Sequence, residues 1–164
     1  MITEIEKAYM AGIIDGEGHI GITKYKTKPR NGRKERMQYD FNVSIVNTNL
    51  NLITYLLEKL RNNNIKFCVM QRKEKLILNH KLIYVIQISD FQAENFLKII
   101  YPYLVAKKEQ ADVAFEFRKT FIKNWGRTKV PQNLMEKREE CFQKMKELNR
   151  RGYIKALVSY NNEQ

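Results

Sequence analysis

Hydrophobic and polar residues along the chain follow two alternating periods, one helical and one extended. Thr3 and Glu6 have the spacing of a capping box, so a first helix is predicted to begin there and to run to about Gly16. Residues 18–27 and 38–46 alternate with period two, and the segment 28–36 between them carries a proline and an Asn-Gly pair. These segments predict an antiparallel hairpin with one apolar and one polar face.

The same order of elements then recurs once. Asn47 and Asn49 provide helix caps, and Leu52, Ile53, Leu56, Leu57 and Leu60 follow at helical spacing. A second hairpin is predicted at about 65–73 and 81–89, and a helix follows from Ser89 to about Ile100, where Pro102 ends it. Further helices are predicted at about 104–124 and 132–148, with a short apolar segment at 153–160.

This succession of elements predicts an α+β fold of the order αββαββα with extra C-terminal helices. We expect a single domain over residues 1–164, in which about 126–164 forms a helical extension. The four strands are predicted to form an antiparallel, saddle-shaped sheet with helices on its apolar face and polar side chains on the other. A saddle of this kind fits a DNA groove, where side chains reach the edges of the bases.

The formal net charge of +12 changes the picture, because it indicates an anionic partner, nucleic acid first and an anionic membrane surface second. Charge that serves only solubility is the alternative. No apolar run of the sequence is long enough to cross a bilayer. Of the two anionic partners we expect nucleic acid and no membrane. Cys68 and Cys141 lack metal or redox spacing and are predicted to be buried free thiols, while His19 and His80 are too scattered for a zinc site.

Small residues form a stripe on the first helix. Ala8, Gly12 and Gly16 are spaced by four and share one face, with Ala11 and Asp15 beside it. A face without side chains lets another backbone come close, and the sequence has only one such stripe, so an identical helix of a second subunit is the predicted partner. Tight packing within the chain is the alternative. The neighbouring residues Tyr9, Met10, Ile13 and Ile14 are predicted to point towards the core.

Glu17 follows this stripe between two glycines. If two copies of the helix cross, their Glu17 carboxylates approach the two-fold axis and need bridging cations, for which a hard ion such as Mg²⁺ is suited. Asp15 is predicted to hold backbone amides across the dimer interface. A solvated turn acid is the alternative interpretation of Glu17.

The segment YMAGIIDGEG (9–18) resembles the signature of the LAGLIDADG homing endonucleases. One copy of the motif in a chain of this length is similar to the homodimeric branch of that family. The segments 43–49, 101–111 and 141–153 also resemble parts of the family, namely the end of the second strand, the region after the third helix, and the last helix with its basic loop.

The resemblance implies roles for individual residues. Glu17 would be the metal ligand, assisted by the backbone carbonyl of Gly16, with Mg²⁺ as the cation and Mn²⁺ as a substitute. Lys107 would be the active-site lysine, or else a solvated helix lysine. Asn47 would position water, or else cap a helix, for which Asn49 is equally eligible. Gln110, one helical turn past Lys107, would contact the DNA backbone near the cut.

Strand parity and basic turns predict the residues that face DNA, with plain surface charge as the alternative for some of them. The fourth strand is apolar on both parities, so its DNA-facing side chains stay open. The predicted DNA-binding residues are Thr23, Tyr25, Thr27, Arg30, Arg33, Lys34, Arg36, Gln38, Asp40, Asn42, Ser44, Met70, Arg72, Arg150 and Arg151.

Together these features predict a homodimeric, metal-dependent homing endonuclease. The family resemblance implies that it makes a staggered double-strand break in a long pseudo-palindromic DNA site. An intron RNA maturase and a non-catalytic dimeric DNA-binding regulator are the alternatives, and RNA would be a partner of the former. The abundance of Lys, Asn, Ile and Tyr hints at an AT-rich genome. We therefore expect an intracellular protein, in a chloroplast or mitochondrion if an intron encodes it and otherwise in a microbial cytoplasm.

Overall fold

Helices and strands follow one another in the order that the sequence predicts, and the computed structural model describes residues 2–29, 35–72, 82–121 and 130–150. A short 3₁₀ turn at Tyr101–Tyr103 follows the third helix. The elements are α1 (Glu4–Glu17), β1 (Gly18–Thr27), β2 (Arg36–Asn47), α2 (Leu50–Asn62), β3 (Cys68–Arg72), β4 (Ile83–Ser89), α3 (Asp90–Ile100), α4 (Lys108–Lys119) and α5 (Gln132–Leu148).

The four strands form one antiparallel sheet in the order β1-β2-β4-β3, so the predicted α+β fold is confirmed. Every second residue of the central strands is buried beneath the helices, as in the run Phe41, Val43 and Ile45. The opposite face keeps polar side chains accessible. Among the described residues, no helix is both long and apolar enough to span a membrane.

The first helix begins as predicted. Thr3 and Glu6 form the reciprocal capping box, in which the Thr3 side chain accepts from the Glu6 N–H and Glu6 accepts from the Thr3 N–H at 2.8 Å. Met10, Ala11 and Ile14 anchor the helix in the core. Because the strand β1 starts directly after Glu17, the end of the helix and the start of the sheet form one continuous unit.

The fourth helix is shorter than the predicted 104–124. It starts late because the preceding residues turn back to the end of α1, where the Asp15 carboxylate accepts from the N–H groups of Val105 and Lys107 at 2.8 and 2.9 Å. Those amides are therefore held by a distant side chain, and Lys107 becomes the residue that precedes the helix. The predicted apolar segment at 153–160 lies outside the described residues.

The third strand is also shorter than the predicted 65–73. Asn64 has a φ of 55°, and the N–H of Ile65 returns to the carbonyl of Leu60 at 3.0 Å. This left-handed turn ends α2 in the manner of a helix C-cap, so the chain becomes extended only afterwards. Residues 73 and 81, the predicted inner ends of the hairpin, lie outside the described residues.

Two predictions about burial were wrong. Tyr9 is 53% exposed and lies edge-on to Tyr55, because it falls outside the narrow buried arc of α1. Cys68 is exposed, since it pairs with Gln87 on the polar face of the sheet, whereas Cys141 is buried as predicted.

The last helix is fastened to the first hairpin. Lys24 lies 2.7 Å from a Glu139 oxygen, and the Tyr39 hydroxyl donates to the same carboxylate. These bonds lower the pKa of Glu139 to about 2. At the end of the helix, Asn149 donates to the Ile20 carbonyl at 2.8 Å. Helix α5 is therefore bonded to the first hairpin through Glu139 and, just after its last residue, through Asn149.

Candidate active centre and nucleic-acid interface

Glu17 is the last residue of α1, and its exposed side chain lies beside the end of β2. The Asn47 amide donates to Glu17 Oε2 at 2.8 Å, while Asn47 Oδ1 accepts from the Asn49 N–H at 2.7 Å. Asn49 caps α2, because its side chain accepts from the Leu52 N–H at 3.2 Å. The two asparagines thus have separate tasks: Asn49 caps the helix, and Asn47 orients the acid.

Lys107 reaches the same end of α1. Its ammonium donates to the carbonyl oxygens of Ile14 at 2.8 Å and Asp15 at 2.5 Å. The last carbonyls of a helix lack partners within the helix and carry partial negative charge, so a cation is favoured there. Burial lowers the pKa of Lys107, and the nearby Asp15 opposes that change. The side chain is therefore held at the C-terminal end of α1, the helix that Glu17 ends, and is not a freely solvated helix lysine.

Asp15 holds backbone amides, as predicted, but not across a dimer interface. Both of its oxygens are used within the chain, on Val105 and Lys107. The prediction was wrong about the partner because a tertiary contact between residues ninety positions apart leaves no local trace in the sequence. Asp15 positions Lys107 by binding its amide, which brings the lysine to the end of α1.

The oxygens at this end of α1 suit a hard divalent cation. Among the described residues, Asn47 is the partner that the structure shows for the Glu17 carboxylate. Carboxylate and carbonyl oxygens are the ligands that Mg²⁺ takes, so Glu17 and the Gly16 carbonyl have suitable chemistry. No three His, Cys, Asp or Glu residues cluster in the described part of the chain.

The small residues of α1 lie on a face that no other described part of the chain covers. Ala8, Gly12 and Gly16 are exposed, and a Cβ added at either glycine would meet no atom of another described element within 4 Å. The described packing of the chain therefore does not require glycine there, although a glycine in a helix interior costs about 1 kcal/mol relative to alanine. This finding removes the alternative that the two glycines serve tight packing with another described part of the same chain.

Ala11 does not belong to that face, so its assignment to the dimer interface was wrong. The residue is fully buried in the chain's own core, because successive helical residues point about 100° apart. Ile5 and Val105 are instead 82% and 85% exposed. Ile5 lies one helical turn before Ala8, and the Val105 N–H donates to the Asp15 carboxylate. The sequence did not predict either residue to be exposed.

The residues of the first hairpin that were predicted to bind DNA lie together on its polar face. Thr23 pairs with Asp40, Tyr25 with Gln38 and Thr27 with Arg36, so all six side chains share a face. The predicted Asn42 and Ser44 continue the same face along β2, opposite Gly21 and His19.

The register also shows which side chains of β4 lie on the polar face, a question that the sequence left open. Ser44 pairs with Gln87, and the same parity of β4 pairs with Cys68, Met70 and Arg72 of β3. Met70 and Arg72 therefore lie on the polar face as predicted. The residues of β4 on that face are Ile83, Val85, Gln87 and Ser89.

His19 lies within electrostatic range of Lys107, and the sequence predicted no functional role for it. Its imidazole lies over Gly21, where an added Cβ would collide with the ring. Burial lowers the pKa of His19, and the positive charge of Lys107 adds to the effect. Strand parity could have found it, because position 19 continues the series 21, 23 and 25.

The remaining predicted residues are peripheral or lie outside the described part of the chain. Gln110 is half-buried in the first turn of α4, and Arg36 is exposed opposite Thr27. Arg150 is exposed just after α5, and its N–H bonds to the Glu147 carbonyl at 3.0 Å. The residues outside the described ranges are Arg30, Arg33, Lys34 and Arg151.

Solved structures of homing endonucleases are similar to this chain over most of its length. The archaeal intron-encoded I-Vdi141I, complexed with DNA, matches with a TM-score of 0.67 at 17% identity, covering 96% of this chain and 92% of its own. I-CvuI in complex with its target, in the presence of 2 mM Ca, matches with a TM-score of 0.62 at 15% identity, covering 97% and 91%. No family model matches the chain, and no curated protein does.

The chain therefore has the fold of the homing endonucleases. This fold agrees with the resemblance to the LAGLIDADG family that the motif at 9–18 carries. The motif consists of the C-terminal part of α1, which ends at Glu17, and the first residue of β1, Gly18.

Proposed function

We propose that two copies of this chain form a site-specific DNA endonuclease of the homing type. It requires a divalent cation such as Mg²⁺ and makes a staggered double-strand break with 3′ overhangs. The observation that carries this proposal is the arrangement at the end of α1, where an exposed acid, Glu17, is oriented by Asn47 at 2.8 Å beside the bound ammonium of Lys107.

The dimer is proposed from the uncovered face of α1. Two copies of a helix that carries Gly12 and Gly16 can cross closely, because neither position has a side chain to separate the backbones. A two-fold contact of this kind brings two Glu17 residues towards one axis. Exposed Ile5 and Val105 add apolar surface beside the stripe.

Glu17, its copy in the second subunit and the Gly16 carbonyls would hold the cations, together with phosphate oxygens of the DNA. A divalent cation bound there supplies Lewis-acid chemistry, which activates water and stabilises negative charge on the phosphate. Asn47 keeps the Glu17 carboxylate in one orientation. Lys107 places a positive charge close to the phosphate and offsets the charge that develops in the transition state.

The polar face of the sheet provides the surface for double-stranded DNA. Threonine, glutamine, asparagine and arginine side chains on β1 and β2 can hydrogen-bond to base edges, and a strand ribbon is narrow enough for the major groove. Because the two subunits are related by a two-fold axis, the target consists of two half-sites in pseudo-palindromic order.

The proposal is tested by selecting cleaved sequences from a randomised double-stranded DNA library in the presence of Mg²⁺. We expect recovery of a pseudo-palindromic site with 3′ overhangs. Glu17→Gln should abolish cleavage while binding persists, and Glu109→Gln, an exposed acid on α4, is the matched control that should keep cutting. Cleavage by Glu17→Gln would overturn the proposed centre. Specific binding by the unaltered protein without cutting at any divalent ion would favour a DNA-binding regulator, and preferential binding of intron RNA would favour a maturase.

A further inference from the structure

The polar sheet face carries one carboxylate among its described strand residues, that of Asp40. Its environment is defined by the cross-strand neighbour Tyr25, whose hydroxyl donates to Asp40 Oδ2 at 2.8 Å. This bond raises the pKa of the Tyr25 phenol. The carboxylate is exposed but held in one orientation by a rigid aromatic side chain.

A second acid, Asp90, lies within electrostatic range of Asp40. Burial raises the pKa of Asp90, the first residue of α3, and the charge of Asp40 raises it further. The Asp40 carboxylate repels DNA phosphates, whereas lysine and arginine side chains provide the phosphate contacts of a protein with net charge +12. Asp40 therefore does not suit the role of a backbone contact.

We infer that Asp40 is a specificity-determining residue that accepts a hydrogen bond from the N4 amino group of one cytosine in each half-site. The inference rests on the proposed function, because it requires this sheet face to enter the major groove. It goes beyond that function by assigning a base to a residue.

The donor and acceptor pattern of the base edges selects cytosine. Asp40 can only accept, and in the major groove amino groups are presented by cytosine and adenine alone. Adenine places the acceptor N7 next to its amino group, which would face the negative carboxylate. Guanine offers two acceptors and thymine offers an acceptor and a methyl group, so both are disfavoured.

Tyr25 acts here as a positioning residue. By donating to Oδ2 it restricts the rotation of the carboxylate and leaves the other oxygen, Oδ1, to accept from a base, while Gln38 and Asn42 of the same face read neighbouring positions. A fixed acceptor distinguishes bases better than a rotating one, because rotation lets the carboxylate avoid an unfavourable edge.

The test compares DNA sequences that the full-length protein selects from a library randomised over both half-sites. The unaltered protein should select cytosine at one position per half-site. Asp40→Asn should change that position to adenine, since an asparagine pairs with adenine N6 and N7, and the preference for cytosine should fall by about tenfold or more. Tyr25→Phe should keep cytosine but weaken the preference, whereas Asp40→Asn alone should change its identity.

Asp112→Asn is the matched control. Asp112 is exposed and also accepts from a tyrosine, Tyr101, at 2.6 Å, but it lies on α4 away from the sheet. Its variant should select the same sequences as the unaltered protein. If Asp40→Asn also selects the same sequences, the inference is wrong while the proposed endonuclease stands. If the unaltered protein selects no sequence, the proposed function fails and takes this inference with it.

Discussion

Asn47 donates its side-chain amide to Glu17 Oε2 at 2.8 Å, which joins the end of β2 to the end of α1. The same asparagine accepts from the Asn49 N–H at 2.7 Å, so its side chain is held at both ends. An acid oriented in this way loses little conformational freedom when it binds a cation. Asn47 and Asn49 therefore have different roles, since Asn47 orients the acid and Asn49 caps α2.

Replacing Asn47 by Ala should slow cleavage by about 10-fold to 100-fold, the usual cost of losing a residue that orients a metal ligand. Single-turnover cleavage with Mg²⁺ measures this, and binding in Ca²⁺ shows whether DNA affinity persists. Asn49→Ala is the control: it should keep the cleavage rate and lower the free energy of unfolding by about 1 kcal/mol, the value of a helix cap. Equal cleavage rates in the two variants would contradict the assigned roles.

Replacing Lys107 by Met should reduce the single-turnover rate on the order of 100-fold, because it removes a positive charge beside the proposed phosphate site. The neighbouring Lys108→Met removes the same charge from an exposed lysine that lies over the Tyr101 ring, and its rate should stay near that of the unaltered protein. A similar loss in both variants would mean that only overall charge matters.

Replacing Gly12 by Ala should weaken the dimer without harming the single chain. Among the described residues, a methyl group there meets no atom within 4 Å outside the backbone of its own helix, and alanine favours the helix by about 1 kcal/mol. Two added methyl groups in a close symmetric contact should raise the dimer dissociation constant by about 5-fold to 150-fold. Sedimentation equilibrium over a range of concentrations measures the change.

Gly18→Ala is the contrasting variant for that experiment. Its Cβ would lie 2.8 Å from atoms of Ile14, so the substitution should lower the melting temperature of the chain itself. A dimer that is unaffected by Gly12→Ala would indicate that the exposed face of α1 does not form the contact.

The ion pairs of Glu139 should make stability sensitive to acid. Bonds from Lys24, Tyr39 and Gln143 lower its pKa from the usual 4.5 to about 2 in the folded chain. The stabilisation is therefore complete above about pH 4.5 and is lost as the pH falls towards about 2. Chemical unfolding of Glu139→Gln should show a smaller loss of stability between pH 6 and pH 3 than the unaltered protein.

The neighbouring acid provides the control for the pH experiment. Glu140 pairs with Lys137 at 3.0 Å on the exposed side of α5, where solvent screens the pair. Glu140→Gln should keep the acid dependence of the unaltered protein. If both variants flatten the pH profile equally, general charge repulsion rather than the Lys24–Tyr39–Glu139 contact accounts for it.

The order of elements and the polar faces of the first three strands were predictable from the sequence. The capping box at Thr3, the span of β1 and the bounds of α5 follow from local interactions, because a cap or an alternation involves residues a few positions apart. The motif at 9–18 likewise identified Glu17, since its glycines and acids are adjacent in the chain. Parity alone was enough to place Thr23, Tyr25 and Asp40 on one face.

Contacts between distant segments were decided only by the tertiary structure. Asp15 binds the amides of Val105 and Lys107, and α4 therefore starts later than predicted. Local sequence patterns cannot predict this contact, because its residues are far apart in the chain. The register of β4 decided which of its two sets of alternate residues lies on the polar face. Ala11 is buried in the core. The sequence by itself determined which residues can bind a cation or DNA and which face of β1, β2 and β3 is polar. The fold decided which of them meet, because long-range hydrogen bonds and burial depend on packing that local propensity does not encode.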